Sequence, residues 1–287
     1  MRTISRPEEL KRTLTDIRAP GARVGFVPTM GALHEGHLSL VRDACGRADV
    51  VVASIFVNPT QFGPKEDFAK YPRDLAGDAA KLAEAGAQLL FAPETHAMYL
   101  PGDSTRVRVG LLTDTLCGPF RPGHFEGVAT VVAKLFGLVG PCVAVFGKKD
   151  YQQLAVLRRM TADLFLPVEI VGHPLVREAD GLAMSSRNAY LSAADRARAL
   201  GLVKGLRAGY MLFEKGERRA AILESAVRAE VQKGADTLDY VSVVDADSLQ
   251  PLETTGERAL IAVACRVGGT RLIDNVVLGE DSRESLR

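Results

Sequence analysis

The sequence predicts an α/β fold: a parallel sheet flanked by helices, followed by a smaller C-terminal α+β domain. Three observations carry this expectation. Short apolar runs rich in β-branched residues recur through the first part of the chain, as strands buried on both faces require. Helical patterns separate those runs, which is the signature of parallel strands joined by crossovers. Beyond about residue 177 the order changes to two helices and then three strands.

The first run is Arg23–Val27 (RVGFV), closed by Pro28. Val50–Val57, Gln88–Ala92, Cys142–Gly147 and Pro167–Gly172 follow. Helical patterns occupy 37–47, 74–86, 128–139 and 150–164 between them. In such sheets ligands sit outside the carboxyl ends of the strands, so the segments after each run are where chemistry is expected. Past the boundary, Ser192–Phe213 and Glu217–Lys233 read as Ala/Arg/Glu-rich helices. Asp239–Asp245, Ala259–Val267 and Arg271–Leu278 read as strands. The VGGT turn, Val267–Thr270, joins the last two as a hairpin, because paired glycines supply positive φ. The expected domains are 1–177 and 178–287, the second acting as a lid over the active site.

Composition narrows the function classes. The chain has 287 residues, roughly two domains' worth. With 47% apolar and 25% charged residues it is an ordinary globular composition. Lys and Arg number 36 against 35 Asp and Glu, so the net charge is +1. Nucleic-acid binders carry a basic excess to displace counterions, which argues against such a partner. No apolar stretch is long enough to span a membrane, and the N-terminus MRTISRPEELKRTL has no apolar signal region, so a cytoplasmic protein is expected. Cys45, Cys117, Cys142 and Cys265 form no CxxC pair, which argues against a zinc framework. Apart from Cys117 they read as small buried residues.

Five segments carry polar chemistry. PTMGALHEGH, Pro28–His37, lies between the first strand and a helix. His34 and His37 are three apart and share a helical face. Gly31 and Gly36 permit close backbone approach, and a helix start suits phosphate. A solvent-exposed turn and a zinc site are the other readings, but HEGH lacks the i,i+4 spacing of HExxH. The GxGxxG fingerprint is absent, which points to nucleotide phosphates rather than a dinucleotide. FVNPTQFGPKEDFAKYPRD, Phe56–Asp74, offers Asn58 and Gln61, neutral groups suited to hydroxyls and carbonyls. Its polar stretch after Phe62 suits a mobile lid. CGPFRPGHFEGV, Cys117–Val128, offers Arg121 for a carboxylate or phosphate, and His124. FGKKDYQQL, Phe146–Leu154, offers Lys148, Lys149, Asp150 and Gln153. READGLAMSSRNAYL, Arg177–Leu191, sits at the expected junction, where Ser185, Ser186 and Arg187 form an anion clamp. His96 and His173 stand in no dense motif and read as structural.

Taken together, PTMGALHEGH, FVNPTQF, YPRD, RPGHF, FGKKDYQQL and DGLAMSSRN resemble the pantothenate synthetase (pantoate–β-alanine ligase) family, in order and over nearly the whole chain. The His pair and MSSR more distantly resemble the HIGH and KMSKS signatures of a superfamily of Rossmann-like nucleotidyl-transferring enzymes. The resemblance implies an AMP-forming ligase that condenses D-pantoate with β-alanine through a pantoyl adenylate. A nucleotidyltransferase acting on another small acceptor is the alternative.

The resemblance also implies residue roles. ATP would meet Met30, Gly31, Ala32, Leu33, His34, Glu35, Gly36 and His37. It would also meet Gly147, Lys148, Lys149, Asp150, Val176, Met184, Ser185, Ser186 and Arg187. His37, His34, Lys149, Ser185 and Arg187 would be catalytic, with His37 the proton donor. Gln61 and Gln153 would bind pantoate, with Gln61 also placing β-alanine. Asn58, Tyr71, Arg121 and His124 would line the pocket. Mg²⁺ would come with ATP, with Asp78 a candidate contact. The family is typically a cytoplasmic homodimer. Cys117 stands where some members carry Glu, so no role transfers to it.

Overall fold

The computed structural model describes residues 1–18, 21–64 and 66–287. The chain forms two compact units. The first comprises Met1–Gly110, Arg121–Lys148 and Val156–His173, the second Leu111–Phe120, Lys149–Ala155 and Pro174–Arg287. The chain therefore enters the second unit twice before passing into it after His173. A single boundary at 177 does not capture these two excursions, because neither carries a composition break.

The first unit is built on a six-stranded sheet. Its strands are β1 (Arg2–Ile4), β2 (Val24–Thr29), β3 (Val50–Ile55), β4 (Leu89–Phe91), β5 (Cys142–Gly147) and β6 (Val168–His173). The order is β1-β4-β3-β2-β5-β6, and every pairing is parallel. Helices α1 (Pro7–Arg18), α2 (Glu35–Cys45), α3 (Leu75–Glu84), α4 (Thr95–Met98), α5 (His124–Val139) and α6 (Tyr151–Asp163) alternate with the strands. Val27, Val41, Val51, Ala53, Leu82, Leu90 and Val145 share one core under α2 and α3. The strand order reverses between β2 and β5, which opens a crevice at their carboxyl ends. β2 leads into the His34–His37 turn and β5 into Gly147–Lys148.

Several boundaries differ from expectation. β2 runs through Pro28 to Thr29, opposite Ser54 and Ile55 of β3. Its pairing with β5 covers only Gly25 and Phe26, so at Pro28 the strand is bonded on one side and tolerates a missing N–H. β1 and α1 are additions to the expected elements. β1 is three residues long at the sheet edge, and α1 buries only Leu10 and Leu14 in an otherwise charged stretch.

The second unit contains α7 (Ala193–Ala199), α8 (Gly201–Glu214) and α9 (Ala220–Val231), then β7 (Thr237–Val244), β8 (Ala259–Val267) and β9 (Thr270–Leu278). The three strands form an antiparallel sheet in chain order. The single helix expected over Ser192–Phe213 is two. The break falls at Leu200–Gly201, where a β-carbon on Gly201 would lie 3.2 Å from the Glu230 carbonyl of α9. Gly268 and Gly269 both have positive φ, +56° and +77°, as the expected hairpin needs. Leu202, Leu206, Val227, Ile261, Val263 and Val276 form the core between helices and sheet. Among the described residues no helix is long and apolar enough to cross a membrane.

Candidate active site

In the first unit the site begins where β2 ends. Thr29 donates its hydroxyl to the Ser54 carbonyl at 2.7 Å, and the next residues turn sharply. Gly31 and Ala32 both take left-handed φ, +82° and +52°. Gly31 adopts this freely; Ala32 is held there against its preference, at about 1 kcal/mol. The restraint comes from Asp78 on α3, only 2% exposed. Its Oδ2 accepts from the Ala32 N–H at 2.7 Å and its Oδ1 from the Leu33 N–H at 2.9 Å. Lys81, 3.8 Å from the Asp78 carboxylate, donates to the Leu33 carbonyl at 3.0 Å. Asp78 thus fixes the turn through both oxygens.

His34 caps α2, and His37 lies one turn inside it. Their rings are 4.1 Å apart. The His34 backbone N–H donates to His37 Nδ1 at 3.4 Å. A neutral ring that accepts at Nδ1 carries its proton on Nε2, so His37 presents an N–H donor beside the helix N-terminus. Met30, His34, Gly36 and His37 are half-buried, Gly31 and Leu33 buried, and Glu35 exposed.

The segment after β3 comes next. Asn58 is fully buried. It donates to the Gln61 side chain at 3.0 Å and to the Gly127 carbonyl at 3.1 Å. Its oxygen accepts from the Tyr99 hydroxyl at 2.8 Å and from Thr60. Asn58 is expected to line the pocket; instead its hydrogen bonds run to protein groups, and it holds Gln61. Gln61 also donates to Met30 Sδ at 3.1 Å, which brings a substrate candidate beside a nucleotide candidate.

Arg121 and His124, three residues apart, hold the same turn. His124 Nδ1 lies 2.9 Å from the Gln61 carbonyl and His124 Nε2 lies 2.9 Å from Arg121. Arg121 grips Glu66 with two bonds of 2.8 Å. Burial would raise the Glu66 carboxyl, but Arg121's hydrogen bond and charge outweigh it and hold it below the ordinary value. Tyr71 is buried, its ring edge-on to Phe62, which also meets Phe68. The stretch expected to move freely as a lid is therefore tied by the Glu66–Arg121 ion pair and an aromatic cluster; its Lys65 lies outside the described residues. Sequence reasoning misses Glu66 because a lone Glu in a polar stretch gives no signal before its partner is placed.

In the second unit Lys149 and Asp150 lie in the short turn after β5, Lys149 half-buried and Asp150 exposed. Gln153 is half-buried. Its neighbour Gln152, absent from the expected set, is the structural one. It donates to the Leu112 and Thr115 carbonyls at 2.8 Å each and accepts from the Cys117 N–H at 2.9 Å. Cys117 Sγ lies 3.1 Å from the Tyr240 hydroxyl, and burial with this contact lifts that hydroxyl well above its ordinary range. Burial pushes Cys142 and Cys265 up to about 12, so both are inert, as expected of small buried residues. Cys45, at the last turn of α2, is exposed instead.

The anion-clamp segment hangs from a hairpin. The Met184 N–H donates to the Val176 carbonyl at 3.0 Å, and Arg177 bridges Ala183. Ser185 then caps a short 3-10 turn through the Arg187 N–H at 3.3 Å. Met184, Ser185, Ser186 and Arg187 are half-buried. Asn188, also outside the expected set, fastens the turn to Glu178 at 2.6 Å and to the Ala183 carbonyl at 3.0 Å. His173 bonds Asp43 at 2.9 Å and His96 is exposed beside Glu94, so neither joins the site. Among the described residues no group of three or more His, Cys, Asp or Glu is placed to hold a metal ion.

The chain is similar to several known proteins. The family model described as pantoate–β-alanine ligase matches residues 2–277. A pantothenate synthetase of Syntrophotalea carbinolica is 54% identical over 265 residues, 92% of this chain and 94% of that protein. The crystal structure of a Thermus thermophilus pantothenate synthetase superposes with a TM-score of 0.91 at 50% identity, covering 96% of this chain and 99% of that one. A pantoate–β-alanine ligase from Francisella tularensis, complexed with beta-gamma ATP and β-alanine, superposes with a TM-score of 0.77 at 32% identity, covering 99% of each chain.

Proposed function

The chain belongs to the pantoate–β-alanine ligase family, and from that premise we propose that it joins pantoate to β-alanine with cleavage of ATP. The pantoate carboxylate attacks the α-phosphorus of ATP and pyrophosphate leaves. The β-alanine amine then attacks the acyl carbon of the pantoyl adenylate. Pantothenate and AMP leave, and the amine's proton passes to solvent or to the departing phosphate.

The observation that carries this reading is the His34–His37 turn. It offers a helix N-terminus and an Nε2–H donor at the carboxyl end of β2, beside the topological switch. An in-line displacement at phosphorus needs positioning and charge stabilisation more than a covalent nucleophile. We assign His37 to donate to phosphate oxygens as charge grows on pyrophosphate, and His34 to bind them. Lys149, Ser185 and Arg187 are assigned to hold phosphate charge. Gln61, whose amide is held by Asn58 and Met30, takes the hydroxyls and carboxylate of pantoate, with Gln153 as its counterpart. Neutral amides suit a hydroxy acid better than a phosphorylated acceptor, which favours the ligase over transfer of AMP to another molecule.

Mg²⁺ fits as the companion of ATP, bound to phosphate oxygens and water, since both Asp78 oxygens are engaged by the turn. It would supply neutralisation of phosphate charge. We further propose a cytoplasmic homodimer; a light-scattering mass of one 30.8 kDa chain would overturn the dimer. The main test is incubation with ATP, D-pantoate, β-alanine and Mg²⁺. AMP and pantothenate should appear in equal amounts. AMP without pantothenate would favour the alternative acceptor, and no AMP at micromolar enzyme would refute the ligase.

A further inference from the structure

Asp274 and Asn275 are consecutive buried residues of β9, 2% and 6% exposed. Consecutive strand residues point to opposite faces of a sheet. Leu272, Val276 and Leu278 lie in the core against the helices, so Asp274 faces that side and Asn275 the other. The two side chains grip different parts of the phosphate-holding apparatus.

On one face, Asp274 takes both arms of Arg177. Nη1 reaches Oδ2 at 2.7 Å and Nη2 reaches Oδ1 at 3.1 Å. The pair is 5% and 1% exposed. Arg177 also donates to the Gly181 carbonyl at 3.0 Å and the Ser285 carbonyl at 2.6 Å. Arg177 bridges Ala183, so the pair fixes the hairpin from which Ser185 and Arg187 hang. On the other face, Asn275 Nδ2 donates to the Lys149 carbonyl at 2.8 Å. The Asn275 N–H itself donates back to Asp274 Oδ1 at 2.8 Å, which couples the two grips.

We propose that Arg177, Asp274 and Asn275 form a positioning relay across β9 that holds the Lys149 turn and the Val176–Met184 hairpin in one frame for the phosphates. None of the three is a catalytic residue; they act through Lys149, Ser185 and Arg187. The inference rests on the assignment of those residues to ATP. A lysine reaching a phosphate swings on four rotatable bonds, so its useful range is set by where its backbone is pinned. Small displacements of such groups cost rate in the transition state for adenylation. The relay therefore serves the first half-reaction and has no part in attack by the amine on a formed adenylate.

The test separates the half-reactions. Asn275→Asp keeps the shape and removes the donor to Lys149. It should slow single-turnover release of pyrophosphate about tenfold, the effect of one lost hydrogen bond. It should raise the KM for ATP and leave the KM for pantoate and the aminolysis of added pantoyl adenylate unchanged. Asn275→Ala should behave alike. Asn275→Gln, which keeps an amide donor, should recover part of the rate. Equal losses in both half-reactions, or no loss in either, would overturn the relay. Lys149→Ala runs in parallel: if it leaves pyrophosphate release intact, the ATP assignment fails. If it abolishes release while Asn275→Asp does not change it, the relay alone fails. Asp274→Asn leaves Arg177 buried without its partner, so the Asn275 variants are the decisive ones.

Discussion

At the scale of the residue, the chemistry rests on a few atoms whose directions are set by their neighbours. His37 is aimed by the His34 N–H, and its loss removes a donor to developing charge. His37→Ala should slow adenylate formation at least about 10²-fold, as loss of a transition-state donor does. Near-normal pantoyl adenylate formation in that variant would remove the assigned role. Asp78→Asn keeps the volume but loses one acceptor and all charge at two backbone amides. Hydrogen bonds to charged groups contribute about 1.5–3 kcal/mol each, so a loss of about 2 kcal/mol in denaturant unfolding is expected, with weaker ATP binding. The histidines are legible because a strand, two glycines and a helix start surround them in the sequence. The part Asp78 plays in the turn is not legible, because in one dimension nothing pairs a carboxylate on α3 with the Ala32 and Leu33 amides. Asn58 is similar: the sequence shows its amide but not the Gln61, Gly127 and Tyr99 groups that it binds. An amide's partners decide whether it binds substrate or builds the wall.

At the scale of the element, α5 and the Asn58–Gln61 turn are joined with no clearance. A β-carbon at Gly127 would come within 2.4 Å of the Thr60 carbonyl. Gly127→Ala should cost about 1–3 kcal/mol and raise the KM for pantoate through Gln61; unchanged kinetics and stability would refute this packing. Glu66 and Arg121 lend this region a pH dependence. Glu66 titrates below its ordinary 4.5 in the folded chain. A depressed carboxylate gives stability that is complete above that value and is lost as pH falls through its folded-state pKa. Protection of the segment from Phe62 to Tyr71 against hydrogen exchange, corrected for chemical rate, should thus fall as the medium is taken from about pH 6 to about pH 3. Glu66→Gln should show low protection at both. Wild-type protection that is flat over this range would exclude the latch. Most strands and helices are legible from period and β-branching. β1, α1 and the break at Gly201 are not. A three-residue edge strand carries too little pattern, α1 has only two buried residues, and the break falls at a glycine whose close approach to α9 is visible only in three dimensions.

At the scale of the whole molecule, the parallel sheet, the small antiparallel sheet and the hairpin between β8 and β9 are readable in the sequence. The interleaving of the two units is not. Leu112 and Leu116 look like any loop apolars until Gln152 and Cys117 place them in the second unit. The core of that unit is its own. Leu206→Ala, at a fully buried position of α8, should cost about 2–5 kcal/mol and speed exchange throughout 174–287. Unaltered protection there would contradict a shared core.

The relay across β9 also has a consequence in time. Asn275 lies 126 residues after the lysine it pins, and Asp274 lies 97 after Arg177. At about 5–20 residues per second, a ribosome that has just made Lys149 needs roughly six to twenty-five seconds to make its anchor. The strands of the first sheet are all synthesised before that interval ends. A nascent chain thus makes the residues of its histidine turn early and the strand that frames Lys149 late, and on this proposal adenylation reaches its full rate only once β9 has emerged.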